Sequence, residues 1–425
     1  MNGVINIIWL VSDKMVRLLF GLFTITFLAN RLSIQDFGYY NYIVSLVFII
    51  TPFATLGLDN NLTKEFIKNS KNTVFNSAIF IKLVASLLTI LAPLLYYIVS
   101  NEEIFLILSV CNISYLAKSV DVIRFYWESE LENKYNAIIE CSVFIISNLI
   151  KIAIVLFDYN LELLIYTIAI EGIIYTIFIL TIIKIKKIDL FVFGGINFCY
   201  IKGLVKQSLP LMISSLSVMI YMKIDQVMLA HLSTYEEVGV MALASKFSQS
   251  WYFIPTSIIT VLFSYIASDY KSNKNIENSV IDIYSVLHII SFFAIVSIYA
   301  LVSWFSVYLI PASYQNIDIV LIIHMIGGFF MCINTFRSRL LSLKEKQIIV
   351  FYLTTFGALI NVVLNFILIP DFGAVGAAIA TLSSQFSVSF IIPNFIPGMK
   401  EYNRSVYLSL INFRLLVSIR KYVKY

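Results

Sequence analysis

Charged residues are scarce in this 425-residue chain, at 13% of the sequence, whereas hydrophobic residues make up 60%. Water-soluble globular domains carry about 25% charged residues, so this composition excludes that class of protein. The mean hydropathy of +0.88 is typical of an integral membrane protein. A membrane-spanning helix needs about 20 apolar residues, and a dozen such helices leave only short loops. The sequence therefore has no room for a large soluble catalytic domain.

Cysteine and histidine are also rare, with four and three residues respectively. The cysteines lie far apart, which predicts neither a disulfide framework nor a metal site. His231, His288 and His324 lack the spacing of metal ligands. No Gly-x-x-x-x-Gly-Lys-Ser/Thr motif occurs, so the chain contains no ATPase of that type. We therefore expect no catalytic residues, no metal and no bound cofactor.

Long hydrophobic runs predict an all-α integral membrane protein with about twelve transmembrane helices. The predicted spans are 7–30, 39–58, 77–99, 104–123, 138–157, 162–183, 208–231, 239–266, 283–308, 318–336, 348–369 and 374–396. Arg31 is the only basic residue in the loops that this pattern places outside, whereas the other loops are rich in Lys and Arg. Because basic loops stay in the cytoplasm, both termini are predicted to be cytoplasmic.

A lysine-rich loop divides the predicted helices into two sets of six. We predict an N-terminal half at 1–183, a basic cytoplasmic linker at 184–207, a C-terminal half at 208–396 and a basic cytoplasmic tail at 397–425. Two such halves form a known transporter architecture, in which substrate binds near the middle of the membrane.

A weak internal repeat agrees with the two halves. Asp36 stands two residues before Gly38 after the first predicted helix, and Glu237 stands two residues before Gly239 after the seventh. An acidic residue near a glycine also makes a good turn by itself. The sequence leaves both interpretations of this repeat open.

Seven basic residues lie inside the predicted spans: Lys14, Arg17, Lys82, Lys118, Lys151, Lys223 and Lys246. Each would cost about 2.5–3.5 kcal/mol at the centre of a lipid-facing helix. Most of them are therefore expected to face protein or water. Local partners are predicted for three of them: Asp13 for Arg17, Asp121 for Lys118 and Glu140 for Lys151.

Two explanations for these intramembrane cations remain open. Ion pairing and snorkelling at helix ends would account for Lys82, Lys118 and Lys246. For the other four we favour a water-filled cavity that holds more cationic than anionic side chains. Such a cavity suits a substrate with phosphate or carboxylate groups, because basic groups in a low dielectric concentrate anions.

Glu171 lies near the middle of the predicted span 162–183, which contains no basic residue. Desolvation would favour the protonated form of such a carboxylate, so Glu171 is a candidate for coupling to a proton gradient. A protonated or hydrogen-bonded structural glutamate is an equally good explanation. We also consider Asp225 as a coupling residue. Tyr40 is expected to be an interfacial anchor, like the other tyrosines near span ends.

Three groups of sequence blocks carry a family resemblance. They are 9–23 with 31–38 and 56–60, then 208–214 with 221–229 and 251–255, and finally 364–378. These blocks, in this order and topology, resemble the polysaccharide flippases of the multidrug/oligosaccharidyl-lipid/polysaccharide (MOP) exporter superfamily. The resemblance is strongest to the Wzx-type O-antigen transporters, and it extends along nearly the whole chain.

The resemblance implies a MOP/MATE-like fold and a substrate made of an oligosaccharide repeat unit linked to undecaprenol through pyrophosphate. It implies transport across a bacterial inner membrane by alternating access, coupled to a proton or sodium gradient. A polysaccharide polymerase and a chain-length regulator are the implied protein partners, and no nucleic acid is involved. Site residues implied by the matching blocks are Asp13, Lys14, Arg17, Arg31, Asp59, Lys223 and Asp225. Lys82, Lys118, Lys151, Lys246 and Glu171 are candidates on physical grounds alone.

Three alternatives share part of this pattern. A multidrug exporter of the same superfamily would have twelve helices but no need for so many basic residues. A membrane polymerase or glycosyltransferase would be expected to carry a large catalytic loop or domain, which this chain lacks. A lipid II flippase is the nearest functional alternative, although that family usually has two more helices.

Overall fold

The computed structural model describes residues 2–157, 160–187 and 197–411, without the side chains of residues up to 13 and of 301, 303, 305–309 and 411. Every regular element in these ranges is helical, and none is a strand. The packing divides the chain into two compact units, Met1–Val227 and Met228–Tyr425. This boundary lies within a helix. The predicted halves with a linker at 184–207 stay a prediction, and 188–196 and 412–425 lie outside the described residues.

The first unit is built from eight helices and most of a ninth. They are α1 (Asn2–Arg31), α2 (Ile34–Thr55), α3 (Leu62–Lys68), α4 (Lys71–Ser100), α5 (Glu103–Ala117), α6 (Val122–Ser129), α7 (Asn133–Phe157), α8 (Leu161–Lys186) and α9 (Phe198–Leu232). Two short 3-10 turns, Leu58–Asn60 and Lys118–Asp121, interrupt the helical runs. Helix α2 contacts α4, α5 and α8, while α1 packs on α7. One hydrophobic cluster, which includes Phe75 and Trp127, fills this unit.

The second unit contains the remaining helices. They are α10 (Tyr235–Gln249), α11 (Phe253–Lys271), α12 (Glu277–Leu309), α13 (Ile317–Leu343), α14 (Gln347–Phe386) and α15 (Lys400–Ile411). Helix α13 contacts α10, α11, α12 and α14 and so lies at the centre of the unit. Its core cluster includes Tyr284 and Phe336, both fully buried.

Ten helical segments of the described residues are long and apolar enough to cross a membrane. The last of them, 347–394, contains Gly373 with φ 52° and ψ −131°, three residues after Pro370. This break separates two stretches that are each long enough to span, as the sequence predicted. Helix α1, with 30 residues, adds one more span. The prediction of about twelve transmembrane helices in an all-α membrane protein is therefore confirmed.

Arg337 is placed differently from the prediction, which assigned 337–347 to a loop. Helix α13 continues to Leu343, and Arg337 is only 1% exposed. Its guanidinium donates hydrogen bonds to the carbonyl oxygens of Val388 and Ser389, at 3.0 and 2.8 Å. Both acceptors lie in a π-helical turn, Ser387–Ile391, whose wider spacing frees carbonyl groups from their usual partners. The arginine therefore stabilises an irregular turn of backbone.

The acidic turns of the proposed repeat are helix N-caps. The Ser33 hydroxyl accepts a hydrogen bond from the Asp36 amide at 3.0 Å, and Thr234 accepts one from the Glu237 amide at 3.4 Å. Each acidic residue thus stands three positions after a Ser or Thr cap, where it favours the start of a helix. Glu237 also accepts a hydrogen bond from the amide of Ala374 at 2.6 Å, directly after the break at Gly373.

Candidate functional site

A cavity of about 440 Å³ lies within the first unit. Helix α2 contributes one wall, with Tyr40, Phe48 and Thr51 among its lining residues. The other walls come from α4, α5, α7, α8 and the two 3-10 turns, which carry all the charged lining residues: Asp59, Lys82, Lys118, Asp121, Lys151 and Glu171. Three lysines and three carboxylates therefore face one space inside a membrane-spanning bundle.

Lys82 is the most deeply buried of these charges, at 3% exposure. Its Nζ atom lies 2.6 Å from Oδ1 of Asp59 and 2.6 Å from Oδ1 of Asp121. Helix α4 supplies the lysine, and the two 3-10 turns supply the carboxylates. Since an unpaired charge would be very costly at this depth, the two turns compensate the lysine, one from a segment before it in the sequence and one from a segment after it.

Lys118 and Glu171 form a second ion pair, with Nζ and Oε1 3.1 Å apart. The ammonium group also lies 5.6 Å from the ring centre of Tyr175. The prediction that Lys118 pairs with Asp121 is wrong, because the 3-10 turn directs Asp121 towards Lys82. Glu171 is likewise not an isolated carboxylate, since its partner comes from another part of the chain.

Lys151 is the third cation of the cavity. It lies beside the Tyr40 side chain and within electrostatic range of Glu171. It has no ion-pair partner within 4.0 Å in the part of the chain that the structure describes. Tyr40 is 6% exposed, so its hydroxyl belongs to the cavity wall and the prediction of an interfacial anchor is wrong. Lys151 is therefore the one cavity lysine that forms no ion pair among the described residues.

The charge balance of the cavity differs from the expectation of excess positive charge. Its lining carries as many carboxylates as ammonium groups, and two of the three lysines are paired. An anion that enters must displace a carboxylate from a lysine or bind to Lys151. The site is thus a network of exchangeable ion pairs within a low-dielectric bundle.

Arg17 and Glu140 belong to a separate network outside this lining. The Arg17 guanidinium lies 2.8 Å from Oε2 of Glu140, and Arg124 lies 3.2 Å from Oε1. Arg124 also contacts Glu128 at 3.2 Å. The predicted partnership of Glu140 with Lys151 is wrong, because two arginines occupy that carboxylate. This network ties α1 and α6 to α7.

Lys223 and Asp225 lie beside the cavity on α9. The Lys223 ammonium is 6.0 Å from the ring centre of Phe48, which lines the cavity. Asp225 is 5% exposed, and its Oδ1 accepts a hydrogen bond from the Gln226 amide at 2.7 Å. Gln226 in turn accepts a hydrogen bond from Ser45 of α2 at 2.6 Å. These contacts fix the end of α9 within the first unit against the cavity wall.

The remaining predicted site residues do not line the cavity. Lys14, Arg31 and Lys246 are exposed, and the Arg31 guanidinium lies 5.8 Å from the Phe27 ring centre. The side chain of Asp13 lies outside the described residues. Within the described ranges, no group of three or more His, Cys, Asp or Glu side chains is arranged to hold a metal ion.

The sequence interpretation missed the aromatic side of the site. Tyr115 lines the cavity, donates a hydrogen bond to the Val47 carbonyl at 2.5 Å and contacts the Thr51 hydroxyl at 2.7 Å. Phe48 and Tyr40 complete this surface. Hydropathy could not identify these rings, because the same residues are common at membrane interfaces. For Tyr40 and Phe48, the available signal was their spacing of about two turns on α2, which places both rings on one face of the helix.

Solved structures of low sequence identity share this fold. An inward-closed structure of the lipid II flippase MurJ superposes with a TM-score of 0.67 at 17% identity, covering 95% of this chain and 91% of that one. An inward-facing multidrug resistance MATE family transporter of the MOP superfamily gives 0.67 at 14% identity, covering 95% and 97%. An outward-facing MATE family transporter gives 0.57 at 10% identity, covering 96% of each chain. These comparisons establish a MOP-type transporter fold.

Sequence families agree with the fold. No curated protein sequence matches the chain. The MatE family profile matches residues 210–367. The profile described as "Polysaccharide biosynthesis protein" matches residues 4–268, which is more than half of the chain and includes every residue of the cavity. The chain therefore belongs to the polysaccharide biosynthesis protein family, within the MOP superfamily of multi-pass membrane transporters.

Proposed function

We propose that the chain is a flippase in the bacterial inner membrane. Its substrate would be an O-antigen or related surface-polysaccharide repeat unit, linked to undecaprenol through pyrophosphate, which it moves from the cytoplasmic to the outer leaflet. The observation that carries this proposal is Lys151, which lines a charged cavity within the membrane-spanning helices and forms no ion pair with any residue that the structure describes. Family membership supports the substrate class.

The cavity offers each part of this substrate a suitable surface. The pyrophosphate would bind Lys151 first and then compete with Glu171 for Lys118. Charge-assisted hydrogen bonds to phosphate oxygens are strong in a low dielectric. The sugars need polar or aromatic walls, which Tyr40 and Tyr115 provide. The lipid tail would remain in the bilayer, because its burial in protein brings no gain.

Deletion of the gene in its host tests this proposal. A surface-polysaccharide gel should lose long chains, and lipid-linked repeat units should accumulate on the cytoplasmic leaflet. Expression of the intact chain should restore the long chains and remove the accumulated repeat units. Expression of the Lys151→Ala variant should do neither. Lys134→Ala is the matched control, because Lys134 begins the same helix and is exposed outside the cavity. An unchanged surface glycan in the deletion strain would reject the flippase.

We also propose that a proton or sodium gradient drives transport through Glu171 or Asp225. Both are carboxylates within membrane-spanning helices. When such a carboxylate loses its protein partner, a proton or sodium ion can take the place of that partner. Transport into inside-out vesicles, with and without an imposed gradient, tests Glu171→Gln and Asp225→Asn. If both variants keep full transport and full gradient dependence, neither carboxylate couples the ion.

A multidrug or cation antiporter is the second candidate. It is favoured by the match of the MatE profile to residues 210–367 and by the MATE-like fold. The balanced charges of the cavity are compatible with a cationic substrate, whereas Lys151 favours an anion. Drug susceptibility of the deletion strain would separate the two candidates.

A polysaccharide polymerase and a chain-length regulator are the proposed partners of the flippase only.

A further inference from the structure

A second cavity, of about 290 Å³, lies in the second unit at the ends of two membrane spans. Its wall includes the start of α12, the end of α13 and helix α15. Glu277 begins a candidate span and Leu343 ends another, so the cavity lies at the depth of lipid headgroups. The basic loops on this side predict that it faces the cytoplasm.

The floor of this cavity consists of buried, mostly apolar side chains. Val280, Leu340 and Tyr402 are 7%, 2% and 6% exposed, respectively. The Lys344 ammonium lies 5.0 Å from the ring centre of Tyr402, so the buried ring holds this lysine at the cavity wall. Burial, with the Glu401 carboxylate nearby, raises the pKa of Tyr402, which therefore stays uncharged.

The wall of the cavity carries charges of both signs. Lys344 and Arg404 are the cations, and Glu277 and Glu401 are the anions. None of the four forms an ion pair within 4.0 Å with any residue that the structure describes. By contrast, Lys274 nearby is paired with Asp269 at 2.9 Å. Four unpaired charges around one cavity suit a ligand that itself has a positive and a negative group.

We propose that this cavity binds the headgroup of a phosphatidylethanolamine-type lipid, with the phosphate on Lys344 and Arg404 and the primary ammonium on Glu277 and Glu401. The volume is at the small end of ligand sites, which fits a headgroup better than a whole lipid. Acyl chains would leave along the outer face of α15, where Tyr407 and Leu410 are each 41% exposed. This inference is independent of the transported substrate.

Native mass spectrometry of the delipidated full-length chain tests the proposal. The protein is mixed with equal amounts of phosphatidylethanolamine, phosphatidylcholine and phosphatidylglycerol that share the same acyl chains. We expect roughly tenfold preference for the ethanolamine lipid, about the value of one good charged hydrogen bond. Choline offers no N–H donor to the carboxylates, and glycerol offers no cation.

Substitutions test which side chains bind the phosphate of the headgroup and which bind its ammonium group. Lys344→Gln should weaken binding of the ethanolamine and glycerol lipids alike, since both carry phosphate. Glu277→Gln combined with Glu401→Gln should abolish the preference over choline. Lys346→Gln is the matched control, because this lysine also lies over the Tyr402 ring, at 5.8 Å, but does not line the cavity. Glu277 and Glu401 are exposed, and Lys344 and Lys346 are partly exposed. An unchanged melting temperature verifies folding of each variant.

Four results would overturn the proposal. Equal binding of the three lipids would remove the specificity, and preferred binding of phosphatidylglycerol would indicate an anionic-lipid site instead. Displacement of the lipid by free phosphoethanolamine at low millimolar concentration would indicate a soluble ligand. Undiminished binding of the ethanolamine lipid to Lys344→Gln, together with an unchanged preference over choline in the double glutamate variant, would place the lipid elsewhere.

Discussion

The Nζ atom of Lys118 lies 3.1 Å from Oε1 of Glu171, so the 3-10 turn after α5 is joined to the middle of α8 by an ion pair inside the first unit. About a third of each side chain is exposed, which leaves the pair reachable from the cavity. An ion pair that is both intramembrane and accessible can stabilise the empty protein and still exchange partners with an anionic substrate. In the proposed flippase, the same two residues would contribute both to packing and to transport.

We expect Lys118→Met and Glu171→Gln each to lower the melting temperature in detergent, because each leaves a partly buried polar group without its partner. The double variant should recover part of the loss, with a coupling energy of about 1 kcal/mol. A double-mutant cycle of thermal unfolding measures this value. Strictly additive effects would show that the two side chains do not interact.

Among the charged residues of the cavity, Lys82 should be the one whose substitution destabilises the protein most. Lys82→Met leaves Asp59 and Asp121 close together without compensation, at an expected cost of about 3 kcal/mol. Adding Asp59→Asn and Asp121→Asn should restore most of the stability, because the repulsion disappears. Chemical denaturation of the purified protein checks both values. If the triple variant is as unstable as the single one, lost packing and not charge explains the defect.

Gly172 should not tolerate a side chain. A Cβ at this position would lie 2.6 Å from the Ser114 Cα, so alanine must push α8 away from α5. We expect Gly172→Ala to cost about 1–3 kcal/mol and to reduce complementation, since the shift separates Lys118 from Glu171. The free energy of unfolding and the polysaccharide gel provide the two readouts.

Gly203 is the matched control for this substitution. It is also helical, but a Cβ there would meet nothing within 4 Å. Gly203→Ala should therefore be neutral or stabilising, by up to about 1 kcal/mol. Equal destabilisation by both alanines would contradict the role of the close contact between α5 and α8.

Hydropathy was sufficient to predict the membrane helices, because each span must satisfy its own backbone hydrogen bonds and shield them with apolar side chains. Even the break near Gly373 was predictable, since Pro370 and two glycines interrupt a run that is too long for one span. The position at which α13 ends was not predictable from the sequence. Arg337 resembled a loop residue, and only the distant π-helical carbonyls explain its burial.

The residues of the cavity were predictable as a set of intramembrane charges, but their partners were not. Helical spacing suggested Lys118 with Asp121, whereas the contacts join positions 53 residues apart in one pair and 39 in another. The two 3-10 turns decide these partners by rotating Asp59 and Asp121 towards Lys82. Such turns leave little trace in hydropathy. The ion pairs between helices could therefore be identified only from the folded structure.

The Glu237 carboxylate should stabilise the backbone of α14 at its break near Gly373. Its Oε2 atom accepts a hydrogen bond from the Ala374 amide at 2.6 Å, and this amide directly follows the non-helical Gly373. The first amides of a helical stretch need such acceptors from outside the helix. Glu237→Ala should cost about 2 kcal/mol, the value of a hydrogen bond to a charged group. Hydrogen–deuterium exchange at residues 374–377 should become faster. Glu236→Ala is the control, because Glu236 is exposed at the same helix start. If exchange there is equally fast in both variants, general loosening of α10, and not the lost acceptor, is responsible.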